Sequence, residues 1–253
     1  MRKKRGYSRE IPVELVRDYK LFAIACEGGK REPNYFKVFE HFSRRVSVDV
    51  IEAIVSDEEM QSKHQLRSAP RWVLDRAVAY IEREGLLDED ELWFVLDTDR
   101  WSFEQLSQIN HYCERFPNWH IAISNPCFEV WLYFHKKQDI AASASQTCNE
   151  FKSEISDFAK GGYHELKFIG DLRIAIENAR QADQQQNYFM PDIKVSKIYS
   201  LVENIMAFVG ENSFNEFLDQ KLPELIQAQV AKYTKERTAA AKSNFKQKPN
   251  RHK

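Results

Sequence analysis

Three carboxylates in this sequence stand where apolar runs stop. Glu27 follows KLFAIAC (20–26), and Asp97 and Asp99 follow LWFVL (92–96) as Asp-Thr-Asp. A fourth, Glu129, falls in the first turn of a segment that opens after Asn125-Pro126. Carboxylates brought together raise one another's pKa, and a divalent cation relieves that repulsion. An all-oxygen donor set suits Mg²⁺ or Mn²⁺. A cation held there activates water, polarises a phosphoryl oxygen and steadies a leaving oxygen. Singly these residues are ordinary turn or helix-cap carboxylates, so their chemistry depends on convergence.

The elements that must bring them together follow from periodicity. Buried strands are expected at 20–26, 46–55, 92–96 and 120–124. Helices are expected at about 34–45 after Pro33, from Pro70 to Gly85, at 102–115, and through Phe128, Val130, Trp131, Leu132 and Phe134. The order βαβαβαβα over about 20–137 argues a doubly wound parallel sheet with helices on both faces. Ligands of such sheets bind beyond the carboxyl ends of the strands, where all four carboxylates fall. The rest of the chain lacks strand signals. It reads as helices at 146–159, 170–183, 194–209 and 214–232, with a Gln-, Asn- and Pro-bearing gap at 184–193 and irregular chain past 234. The division is a basic arm (1–19), an α/β domain (20–145), a helical region (146–233) and a basic tail (234–253).

Composition narrows the class. The chain of 253 residues is 43% hydrophobic and 13% aromatic, enough for a globular core. No apolar run approaches the roughly 18–20 residues of a membrane span. The basic start lacks the apolar segment of a secretory signal, so a cytoplasmic location is expected. Cys26, Cys113, Cys127 and Cys148 form no CxxC pair and read as reduced thiols. Residues 1–9 carry +5 and residues 232–253 carry +7, which leaves −13 on residues 10–231. Basic ends on an acidic body suit phosphate contacts at the ends and cation binding in the body, or simply solvated tails.

The segments CEGGKREPNYF (26–36), VLDTDR (95–100) and SNPCFEVWLYFH (124–135) resemble the RloB-like family of prokaryotic defence and abortive-infection proteins. The resemblance extends over roughly 20–210, through Lys160-Gly161-Gly162-Tyr163 and SKIYSLVENI (196–205). It implies a Toprim-like α/β fold with a helical C-terminal extension. In that pattern Glu27, Asp97 and Asp99 bind Mg²⁺ or Mn²⁺ and carry phosphodiester hydrolysis of DNA or RNA, including tRNA. Similar overcoming-lysogenization-defect nucleases imply Glu129 as a further ligand. The resemblance also implies an ABC- or AAA-type ATPase partner. Glu27-Gly28-Gly29-Lys30 lacks Walker A spacing, so nucleotide-driven steps fall to such a partner.

Lys30, Arg31, Arg100 and Lys160 are candidate phosphate-binding cations or plain surface charge. Lys167 shares the Gly-Gly-Tyr neighbourhood of Lys160. Asn125 either caps the following helix or orients Glu129 or water. His135 reads as packed or capping, and Phe128, Trp131 and Phe134 as core. Two other functions compete with the nuclease. Asp-x-Asp occurs in HAD-like phosphatases, where it normally sits on the first strand, and in glycosyltransferases. A non-catalytic subunit binding nucleic acid or the ATPase could retain the same carboxylates.

Overall fold

Alternate residues of β1 (Lys20–Cys26) are buried on opposite faces, with Phe22, Ile24 and Cys26 on one and Ala23 and Ala25 on the other. β3 (Glu91–Asp97) divides likewise, Trp93 and Val95 against Leu92, Phe94 and Leu96. A strand covered on both faces needs apolar residues at every position, which is why these segments read as unbroken apolar runs. The computed structural model describes residues 19–51, 69–158 and 161–246, with side chains to residue 237. The arm through residue 18, the 52–68 segment, Ala159, Lys160 and residues 247–253 lie outside the described residues.

The sheet has the order β2-β1-β3-β4-β5, where β2 is Val46–Ile51, β4 is Trp119–Asn125 and β5 is Val195–Ser196. The first four strands are parallel, and β5 pairs antiparallel with the end of β4. One face carries α1 (Arg31–Lys37), α4 (Glu129–Phe134), α5 (Cys148–Asp157), α6 (Leu172–Ala182), α7 (Ile198–Val209) and α8 (Glu211–Glu216). The other carries α2 (Pro70–Glu84) and α3 (Phe103–Cys113). This is the expected α/β class with a mostly parallel sheet and a helical C-terminal part. The chain leaves β1 toward β2 and returns past it to β3, so the order reverses between β1 and β3. Open sheets bind ligands at that reversal.

Local chemistry explains where the elements differ from expectation. α1 begins at Arg31 rather than after Pro33, because the first turn of a helix has no use for the proline's missing N–H. It tightens into a 3₁₀ turn over Val38–His41. β5 is too short for a periodic signal, and it breaks the strand-free reading of the C-terminal region. The expected 214–232 helix is α8, a π turn over Phe217–Lys221, and α9 (Leu222–Lys246). α9 continues past residue 234, where irregular chain was expected; Ala239, Ala240 and Ala241 there are the strongest helix formers. No described helix is long and apolar enough to cross a membrane. None of the four cysteines is in a disulfide, and three of them are buried.

Candidate functional site

β1 and β3 lie side by side with Cys26 opposite Val95, so Glu27 and Asp97 leave the sheet together at the reversal. The Glu27 N–H donates to the Val95 carbonyl (3.0 Å), and the Asp97 N–H donates to Glu27 Oε2 (3.0 Å). The loop after β3 is tied to the next strand end. Thr98 N–H and Asp99 N–H both donate to the Pro126 carbonyl, at 3.2 and 3.1 Å. The Thr98 hydroxyl donates to Asn125 Oδ1 (2.9 Å), while Asn125 Nδ2 donates to the Pro191 carbonyl (3.1 Å). Asn125 therefore does not cap α4, which starts after Phe128 without a side-chain cap. It fastens the Asp-Thr-Asp loop to β4 and to the segment before β5.

The electrostatics of this edge are those of crowded like charges. Asp97 keeps part of its surface accessible, yet desolvation of its carboxyl is the largest influence raising its pKa well above the carboxylate range. Repulsion from Glu32, Glu27, Glu129 and Asp99 adds to it. Burial likewise pushes Glu27 up to about 7, against the stabilising Asp97 N–H and the nearby Trp101 indole, with Asp99 and Glu32 raising it further. The Trp101 indole N–H is itself buried and falls short of hydrogen-bonding geometry. Asp99 sits at the rim, 3.7 Å from the exposed Arg100 guanidinium.

Glu32 is the member that sequence reasoning missed. It is buried in the first turn of α1, and its pKa is raised by burial and then by Glu129. Its carboxyl lies against Gly28, where a Cβ would overlap it. The Glu27-Gly28 pair followed by an acid in the next helical turn was the available signal. An acid there reads first as a partner of the helix dipole.

Glu129 is buried and ion-paired with Arg31, whose guanidinium also lies 4.7 Å over the Tyr163 ring. Arg31 is thus committed to Glu129 instead of standing open for phosphate. Lys30 and Arg100 are exposed beside the carboxylates, Lys167 donates to the Gly162 carbonyl (3.0 Å), and Lys160 is outside the described residues. Arg76, also missed, reaches from α2 to donate Nη2 to the Cys26 carbonyl (2.7 Å). Its Nε and Nη1 are buried without partners among the described residues, and burial lowers its pKa against the attraction of Glu27. His135 is packed, as expected: buried between Tyr35 (2.9 Å) and the Trp131 carbonyl (3.1 Å), it is pushed down to about 3 by desolvation. Phe128, Trp131 and Phe134 are core.

Among the described residues, no group of three or more His, Cys, Asp or Glu side chains is arranged to hold a metal ion. Glu27 rests on a backbone N–H and Glu129 on Arg31. The donor set, all carboxylate oxygen and strained by its own charge, nonetheless has the chemistry a hard divalent cation requires. No curated protein and no solved structure matches the chain. The family model for RloB-like protein matches residues 22–205, a span that holds all five carboxylates, and the chain belongs to that family.

Proposed function

We propose that this protein is a metal-dependent nuclease of Toprim type that hydrolyses phosphodiesters of DNA or RNA in prokaryotic anti-phage defence. The observation that carries the reading is Asp97, whose carboxyl is opposed by four others at the sheet's reversal point. Glu27, Asp97 and Asp99, with Glu32 and Glu129 beside them, would hold Mg²⁺ or Mn²⁺. Bound there, the cation would supply charge for phosphoryl oxygens and lower the pKa of a coordinated water. Glu27 anchors the cation or takes the proton of the attacking water, and its hydrogen bond from the Asp97 N–H fixes its direction. Lys30 and Arg100 neutralise substrate phosphate. These 253 residues carry no Walker A segment, so an ABC- or AAA-type ATPase partner supplies nucleotide control.

The absence of a preformed metal cluster among the described residues favours one other reading, a non-catalytic subunit that binds nucleic acid or the ATPase. Cleavage of DNA and tRNA with and without Mg²⁺, by wild type and Asp97→Ala, separates the two. Mg²⁺-dependent cleavage lost on substitution is the expected result. Cleavage that survives Asp97→Ala removes the chemistry from this site.

A further inference from the structure

Two of the four cysteines meet beside the carboxylate edge. Cys127 directly follows Pro126, on whose carbonyl the Thr98 and Asp99 N–H groups hang, and Glu129 comes two residues later. Cys127 is 1% exposed, and its thiol is engaged by the Cys148 thiol and by the Glu129 carboxyl. Cys148 belongs to a different element. It is the first residue of α5, a helix capped by the Thr147 hydroxyl, which accepts from the Glu150 N–H (3.4 Å). It packs on the core that holds Cys127 but stays partly exposed, whereas Cys26, Cys113 and Cys127 are buried. Both thiols are free.

We propose that Cys127 and Cys148 are a reversible oxidation site, which hydrogen peroxide closes to a disulfide that restrains the carboxylate edge. The control of cleavage rests on the nuclease reading; the disulfide does not. Peroxide reaches Cys148 first, because that thiol alone of the four is not buried. Its sulfur attacks one peroxide oxygen, the O–O bond breaks, and Cys148 becomes a sulfenic acid as water leaves. The Cys127 sulfur then attacks the Cys148 sulfur and the S–O bond breaks. The departing hydroxyl carries off the Cys127 proton as a second water. Two thiols and one peroxide thus give one disulfide and two waters, with two electrons passing from sulfur to oxygen. The bond removes a thiol neighbour from Glu129 and ties the Pro126–Cys127 junction to α5. The Asp-Thr-Asp loop hangs on that junction, and displacement of catalytic groups by about an ångström is felt in rate.

Trypsin cuts between the two cysteines at Lys136 and Lys137, so a bridge shows as two joined peptides. The reduced full-length protein is treated with hydrogen peroxide, its remaining thiols are blocked with N-ethylmaleimide under denaturing conditions, and the digest is weighed before and after dithiothreitol. The expected product joins 116–136 to 138–152, two hydrogens lighter than their sum, and dithiothreitol separates it. In Cys148→Ser, Cys127 should stay a thiol and take up maleimide. Oxidised wild type should cleave about tenfold more slowly at fixed Mg²⁺, and dithiothreitol should restore the rate. Cys148→Ser should keep the reduced rate before and after peroxide. Cys148 carried on to sulfinic acid with Cys127 still a thiol, or bridged to Cys26 or Cys113, makes the pair mere packing and overturns the site. A Cys127–Cys148 bridge that leaves cleavage unchanged overturns the control. Reduced protein that cleaves nothing counts against the nuclease reading, and the control with it, while the bridge is judged by mass alone.

Discussion

Two desolvated acids in this molecule live in opposite surroundings. Asp183 Oδ2 accepts from Lys197 Nζ (2.6 Å) and from the Tyr199 hydroxyl (2.7 Å), and Oδ1 accepts from the Gln185 N–H (3.1 Å). Lys197 Nζ donates also to the Gln185 carbonyl (2.6 Å), so both charges are satisfied within the fold. Asp97 faces four carboxylates instead, and Arg76, the half-buried cation on the Cys26 carbonyl, leaves two N–H groups unpartnered among the described residues. A buried charge that the protein itself neutralises is part of the architecture. One that it leaves opposed and desolvated is destabilising until something outside the chain joins it. The contrast is what supports proposing the carboxylate edge as the cation site.

The comparison breaks most visibly through substitution. Asp97→Ala should lower Mg²⁺-dependent cleavage on the order of 10³-fold, while metal-free thermal stability stays level or rises because a desolvated acid whose ionisation its neighbours oppose is gone. Asp183→Ala should do the reverse. It leaves Lys197 buried and uncompensated, a loss of about 3–5 kcal/mol, or roughly 10 °C in Tm for a chain of this size. Cleavage per folded molecule should be retained. Calorimetry with a cleavage assay on both variants decides the matter. A large drop in stability for Asp97→Ala would place Asp97 with Asp183 as an architectural acid.

A subtler test uses protons. The folded pKa of Glu27, about 7, lies above its ordinary value of 4.5, so between those limits the folded state holds the extra proton. That contribution is greatest below pH 4.5 and is lost as pH rises to 7, by up to about 3 kcal/mol in total. A divalent cation competes for the deprotonated form. Mg²⁺ should therefore raise Tm strongly at pH 8 and little at pH 5. Glu27→Gln should reduce the pH dependence of metal-free stability, leaving the part due to Asp97 and Glu32, and abolish the Mg²⁺ shift. A Mg²⁺ shift that is equal at both pH values and persists in Glu27→Gln would assign the cation elsewhere.

The half of the site that stands at strand ends is legible in the sequence. An apolar run has to stop somewhere, and Glu27, Asp97 and Asp99 punctuate runs whose alternation with helices dictates a shared edge. Glu32 is not legible because the first turn of a helix attracts acids for its own sake, and only the overlap with Gly28 shows that its carboxyl turns back toward the site. Arg76 reads as one more charge on an amphipathic helix, since its partner is a backbone carbonyl fifty residues away. The same holds for Asp183 and Lys197, neighbours through tertiary packing. β5 exists because the edge of β4 was open to pair with, which two residues cannot announce. Pairings between distant segments are the part that periodicity does not encode.

The smallest expected effect concerns Asn125, which no charge argument singles out. It joins the Asp-Thr-Asp loop to β4 through the Thr98 hydroxyl and to the segment before β5 through the Pro191 carbonyl. Asn125→Ala removes both bonds and leaves their partners unpaired at the sheet edge, a loss of about 1–2 kcal/mol. Thr98→Val removes one bond and should lose about half as much. If the tie merely strengthens the fold, cleavage follows the folded fraction in both variants. If it aims the loop, Asn125→Ala lowers cleavage about tenfold in fully folded protein and raises the Mg²⁺ concentration needed for half-maximal rate, because displacement of catalytic groups by about an ångström is felt directly in rate. The backbone bonds from Thr98 and Asp99 to Pro126 remain in either variant, so the loop keeps its place on β4 and loses only its lateral anchor. An unchanged Mg²⁺ requirement in Asn125→Ala would therefore assign the aim of Asp97 and Asp99 to the backbone bonds of Thr98 and Asp99, including the one from Thr98 N–H to the Ser124 carbonyl (3.1 Å).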